Sequence, residues 1–257
     1  MGSVSLRIYL TGRLEVALDG VSLDARRLPG RQGRRLLAYL VCERSQPVPH
    51  DELAEAVWLA EPPPAAEGVA LSALVSKLRG WLRDIRPAGA AGIVSAFGCY
   101  QLRLPADTWV DVEAAGQAVD EAEGALRAGT PYSAWGPACV ACAITQRPML
   151  PGEEGFWVER ERSRLRALRV RALDCLSELW LANGEGALAV QSVVEAVELD
   201  PFRETGYQHL MRAHATLGNR AEALRVYERL RRLLAEELGT DPSPQTEAVF
   251  IELLRLG

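Results

Sequence analysis

The sequence predicts a mainly α protein with a small β component: a winged helix-turn-helix followed by an all-α, tetratricopeptide-like helical domain. Three observations predict it. Short alternating segments open the chain and a hairpin pattern returns near residue 100, with three stretches of helical period between them. Beyond residue 110 the apolar stripes keep helical period throughout. Within that second part, one set of residues recurs at a spacing of 34, the period of tetratricopeptide helix pairs.

In the first part, Leu6, Ile8 and Leu10 alternate with polar neighbours, as do Leu14, Val16 and Leu18. Thr11-Gly12 and Asp19-Gly20 are turn pairs, so a small antiparallel sheet is expected. Leu36, Leu37, Leu40 and Val41 then form one stripe of a helix that opens at Pro29 to Arg31. Ser45 to Pro49 breaks it. A short second helix begins at His50-Asp51-Glu52, with Leu53, Val57 and Trp58 as its apolar side. Pro62-Pro63-Pro64 interrupts the chain rigidly. A third helix carries Leu71, Leu74, Val75, Leu78, Leu82 and Ile85 on one face and ends at Pro87 and Gly89. Ile93-Val94 and Tyr100 to Leu104 flank Phe97-Gly98 as a hairpin. Three helices closed by a hairpin make a winged helix-turn-helix, whose third helix would enter the major groove of DNA.

In the second part, a long helix is expected over 155–183, with Val158, Leu165, Leu168, Ala172, Leu176 and Leu179 on one side. Its charge run from Glu159 to Arg171 reads as a salt-laced exposed face, with a second anion site as the lesser alternative. The repeat matches Gly184, Ala187, Ala189, Val190, Val193 and Leu199 to Gly218, Ala221, Ala223, Leu224, Tyr227 and Leu233. Asp241 or Ser243 would cap a last helix bearing Val249, Phe250, Leu253 and Leu254. The expected division is 1–110 and 111–257, with the first part able to fold alone.

Composition narrows the function. The chain has 257 residues, 48% hydrophobic and 25% charged, which excludes a largely disordered protein. The net charge of −5 conceals a split. Residues 1–110 hold 13 Lys+Arg against 11 Asp+Glu, a net +2, and residues 111–257 hold 16 against 23, a net −7. Bases cluster in the first part as Arg26, Arg27, Arg31, Arg34 and Arg35, then as Lys77, Arg79, Arg83 and Arg86. No window reaches about 18 consecutive apolar residues, and the N-terminus lacks a signal-peptide pattern, so a cytoplasmic protein with no membrane partner is expected. The five Cys fit reduced thiols. Cys139-x-x-Cys142 has no second pair or nearby His, so buried helix residues are the stronger reading than a metal or redox site. No cofactor is called for. Neither a phosphate loop nor a catalytic constellation surrounds His50, His209 or His214, so an enzyme is not expected.

The outer face of the third helix carries Ser72, Ser76, Arg79 and Arg83 at spacings of 4, 3 and 4, beside Lys77, the chain's only lysine. Hydroxyls and guanidinium groups at that spacing suit phosphates, and Lys77 suits a base edge. Read alone, the helix fits an ordinary solvated amphipathic face better than a DNA contact.

The residues also carry a family resemblance. Thr11 to Val16, Gln32 to Ala38, the Val57 to Pro63 stretch, Val75-Ser76-Lys77-Leu78-Arg79, Asp200 to Glu204, Ala221 to Leu224 and, most specifically, Leu234 to Pro244 resemble the SARP family, the Streptomyces antibiotic regulatory proteins. The resemblance covers about residues 5–256. It implies an OmpR-type winged helix followed by a bacterial transcriptional activation domain. It also implies an activator that binds direct repeats in promoter DNA as a side-by-side dimer and contacts RNA polymerase and its sigma factor. By that resemblance Lys77 matches a base-reading position, Ser76 and Arg79 match phosphate contacts, and Ser72 matches a polar reader. His50 matches a backbone-phosphate contact, and the turn from Trp58 to Pro64 matches a polymerase-facing loop. Arg35, in the basic run opening the first helix, completes the DNA-contact candidates. Two departures stand out. Val69 to Leu74 replaces a polar run usual in the family, and Ala96 and Cys99 replace an Arg and a Gly in the hairpin. They leave an alternative open, a protein-interaction or ligand-sensing regulator whose winged helix has weakened or lost DNA binding.

Overall fold

The alternating N-terminal segments become β1 (Leu6–Tyr9), β2 (Glu15–Leu18) and β3 (Val21–Ser22). The computed structural model describes residues 5–23, 28–58, 67–84 and 91–255. The basic residues Arg26, Arg27 and Arg86, the Leu59 to Pro64 part of the turn expected to face polymerase, and Ile85, Pro87 and Gly89 lie outside the described residues. The helices of the first part are α1 (Gly30–Cys42), α2 (His50–Trp58) and α3 (Glu67–Asp84). A bridge strand β4 (Val48–Pro49) precedes α2, and the wing is β5 (Gly92–Ala96) and β6 (Cys99–Arg103). Strand β7 (Trp109–Val110) follows.

The strands form two sheets. The first has order β3-β2-β1-β7 and the second β4-β6-β5. The purely antiparallel N-terminal sheet expected from the sequence gains a parallel edge, because Arg7 pairs with Trp109 and Ile8 with Val110. A two-residue strand has too little period to be seen in sequence. What fixes it is the next residue: Asp111 is fully buried, and its carboxylate accepts from Leu10 N, Thr11 N, Thr11 Oγ1 and Val112 N at 2.7–3.0 Å. One side chain thus satisfies donors at the end of β1 and the start of α4 (Asp111–Arg127).

The second part is helical, as expected. After α4 come α5 (Pro131–Thr145), α6 (Phe156–Ala182), α7 (Gly186–Leu199), α8 (Glu204–Thr216), α9 (Arg220–Leu238) and α10 (Pro244–Arg255). The repeat is real structure. Gly184 and Gly218 hold equivalent turns at φ +78 and +74, and Ala189, Val193, Ala223 and Tyr227 are buried. Gly206 lets α8 close on α7, since a Cβ there would stand 2.9 Å from Val197 Cγ2. Ser243 caps α10 with Pro244 as its first residue, accepting from Thr246 N at 3.4 Å.

Packing divides the chain differently from sequence order. One unit comprises Met1–Ala114 with Arg147–Ser163, the other Ala115–Gln146 with Arg164–Gly257. The expected boundary near 110 therefore misses a returning segment. Leu150 N donates to Leu10 O, Gly12 N to Pro148 O, and Trp157 Nε1 to Ala56 O. The alternating charges at the start of α6 follow this return. Arg162 donates to the carbonyls of Met149, Leu150 and Glu153, and Arg160 pairs with Glu43 at 2.6 Å. The expected salt-laced exposed face is there, with Glu159 and Arg160 exposed and Arg162 paired with Glu159, and Arg160 and Arg162 add these contacts within the first unit.

Candidate nucleic-acid interface

The third helix is amphipathic because Leu71, Val75, Leu78, Trp81 and Leu82 sit at i, i+4, i+7, i+10 and i+11 and are all buried. Each such fully buried large side chain contributes about 1.5–3 kcal/mol. Leu74, grouped with them by sequence, is only half-buried, and Trp81 takes its share of the core. The opposite face is open. Ser72, Ser76, Lys77 and Arg83 are exposed, as are Val69 and Ala73. Ser72 Oγ donates to Gly68 O at 2.8 Å, which leaves its lone pairs for an incoming donor.

Arg79 has a different posture. It is half-buried, donating from Nε to Ile93 O and from a terminal nitrogen to Ser95 Oγ, both at 3.0 Å. Its guanidinium therefore ties α3 to the first wing strand, with only part of its donor fork left over. Extended Arg at this spacing looks like a phosphate contact in sequence, and only the register of the hairpin reveals the tie.

His50 opens α2. Its backbone N donates to Gly98 O in the wing turn at 3.0 Å, and its ring lies 6.3 Å from that of Tyr100. A shallow concavity of about 280 Å³ runs from His50 along Ser95 to Tyr100. The structure thus brings His50 to the wing, and Arg79 joins that same wing to the α3 face of Ser72, Ser76, Lys77 and Arg83.

Arg35 does not belong to this group. It is 3% exposed, with Nε donating to Glu153 Oε2 at 2.7 Å and a terminal nitrogen to Val57 O at 3.1 Å. Arg31 shares the same carboxylate at 2.8 Å and also donates to Gly152 O. The assignment of Arg35 to DNA contact is corrected: its charge is consumed inside the first unit. The signal was present in the run Arg35 to Val41, buried at every position, whereas Arg34, one residue earlier, is exposed.

Sequence reasoning also missed a residue. Phe97 at the wing tip is 105% exposed and has φ +51. For metal chemistry, no group of three or more His, Cys, Asp or Glu suited to an ion occurs among the described residues. Burial pushes the Cys142 thiol up to about 11, which disfavours the thiolate a metal would need. No helix among the described residues is long and apolar enough to cross a membrane.

A family model described as the bacterial transcriptional activator domain matches residues 110–254. The chain belongs to that family. It is similar to SARP-type transcriptional regulators, and its fold agrees with that of a solved relative. Regulatory protein AfsR of Streptomyces coelicolor is 33% identical over 253 residues, covering 98% of this chain and 24% of AfsR. Transcriptional regulatory protein EmbR of Mycobacterium tuberculosis is 30% identical over 257 residues, covering 96% of this chain and 62% of EmbR. Transcriptional regulatory protein MoaR1 of the same species is 27% identical, over 98% of this chain and 80% of MoaR1. Among solved structures, Mycobacterium tuberculosis EmbR in complex with a low affinity phosphopeptide superposes with a TM-score of 0.83 at 25% identity, covering 99% of this chain and 66% of that one. The chain therefore spans about a quarter of AfsR and under two thirds of EmbR.

Proposed function

We propose that this SARP-type chain is a DNA-binding, non-enzymatic activator working in the cytoplasm. In this reading it binds direct repeats in promoter DNA, pairs there with a second copy, and contacts RNA polymerase with its sigma factor. The observation that carries the reading is the uncovered α3 face, where Ser72, Ser76, Lys77 and Arg83 stand exposed on a helix braced to the wing by Arg79. A rigid helix with polar tips suits the major groove. Lys77 takes the base edge, Ser72, Ser76 and Arg83 the phosphates, and His50 a phosphate beside the wing.

A single lysine makes the test clean. Amine-selective acylation reports on Lys77 and the chain terminus alone. The expected result is protection of Lys77 by a bound promoter duplex, with Lys77→Ala lowering the preference for that duplex over random DNA. Full reactivity of Lys77 in a saturated complex would refute its placement in the groove. If no genomic fragment shows salt-sensitive binding, the regulator acts through protein or small-ligand contacts instead.

A further inference from the structure

Phe97 occupies the first of the two turn positions that join β5 to β6, with Gly98 at φ +74 beside it. Two positive φ values in succession define the turn that matches strand twist, and Asn-Gly is its ordinary sequence. A bulky aromatic is strained there. Phe97 is also fully exposed, so the ring gains no burial in the free protein. Phe97 thus combines a disfavoured backbone conformation with a ring that touches nothing.

The surroundings define what it can touch. From Ile93 to Cys99 the wing holds no charged side chain. Arg103 pairs with Gly92 at the far end of the hairpin from the tip. Phosphates gain little from such a tip. What complements an uncharged, protruding ring is a stack of flat apolar faces opened at one step. The wing is also held: Arg79 fixes Ile93 O and Ser95 Oγ to α3, and His50 N fixes Gly98 O to α2. A wedge works only when the protein behind it does not yield, and this tip is anchored from two helices.

We infer that Phe97 is a minor-groove wedge, inserting between two base pairs next to the site occupied by α3 and bending the duplex there. The inference rests on the DNA-binding reading above and adds a second contact to it. Apolar wedges unstack a step and kink DNA by roughly 20–90°. They act most easily at flexible pyrimidine–purine steps, so sequence preference arises where no hydrogen bond is made.

The experiment uses the whole chain and a random-sequence duplex pool. Wild-type protein selects a duplex, whose bend is read by circular permutation. Binding is then measured for Phe97→Asn, which favours the turn, and Phe97→Leu, which keeps an apolar wedge. Thermal unfolding of Phe97→Asn should be no lower than wild type. The expected result is a loss of affinity of about tenfold and of the bend in Phe97→Asn, with both largely kept in Phe97→Leu. Equal affinity and equal bend in Phe97→Asn overturn the wedge and leave DNA binding by α3 standing. If wild type enriches no duplex, the DNA reading fails and the wedge with it.

Discussion

Replacing Arg35 by Met separates a structural arginine from a DNA-contacting one. The substitution removes a cation that is 3% exposed and leaves the Glu153 carboxylate and the Val57 carbonyl without that donor. Breaking a buried pair from one side costs about 3–5 kcal/mol. Arg31 still reaches Glu153, with 47% of its side chain in solvent, which places the loss near the lower end, about 3 kcal/mol. That is roughly a hundredfold in the equilibrium for local opening. Hydrogen exchange of α1 amides, read by mass spectrometry, measures it directly. In Arg35→Met with Glu153→Gln, part of the loss should return, because no bare charge stays buried. DNA affinity of the folded fraction should be unchanged. An exchange rate within a few-fold of wild type, coupled with lost DNA affinity, would mean that Arg35 faces the duplex after all.

The other expectations concern the wing, the helical unit and the thiols. Arg79→Gln should accelerate exchange in β5 and weaken DNA binding equally on specific and random duplexes; altered specificity alone would contradict a bracing role. Gly206→Ala should destabilise by about 1–3 kcal/mol against the buried Val197. Gly186→Ala should be near neutral in urea unfolding, because the Leu217 side chain it meets is half in solvent and can swing aside. Burial raises the Asp174 carboxyl, but the neighbouring His209 and the hydrogen-bonded Arg203 outweigh it and hold the group below its ordinary value. The hydrogen bond from Arg171, against a smaller effect of burial, does the same for Glu123. Both then contribute stability above their unfolded values of about 4, and lose it as pH falls through their lower folded ones. Asp174→Asn should therefore flatten the acid side of the urea midpoint against pH, and an unchanged slope would refute the assignment. Alkylation should reach exposed Cys139 before Cys142, pushed up to about 11 by burial, and Cys175, pushed up to about 12 by burial, as peptide mapping would show.

What could be seen in the sequence was periodic or local. Helical stripes marked α1, α2, α3 and α6 to within a few residues, Asn183-Gly184 and Gly218-Asn219 marked turns, and Ser243-Pro244 marked a cap. The exposed α3 face was legible because its apolar side was. Long-range pairing was not. Nothing near Asp111 announces that its partners lie a hundred residues earlier, and nothing near Glu153 announces Arg35. Arg79 was read as a phosphate contact and not as a strut, because its acceptors depend on the hairpin register. Phe97 was passed over as half of a turn signal. The glycine after it named the turn, and the cost of an aromatic at that φ became visible only with the backbone.

The return of residues 147–163 to the first unit sets an order of events during synthesis. A ribosome makes the chain from its N-terminus, so α1, α2 and α3 emerge while Arg35, Leu10 and the Ala56 carbonyl still lack their later partners. The first unit can be completed only after α5 has been translated. The same interleaving governs inheritance of the parts. A recombination or truncation near residue 110 would separate Arg35 from Glu153 and the Ala56 carbonyl from Trp157, so the first unit is best exchanged as one piece up to residue 163.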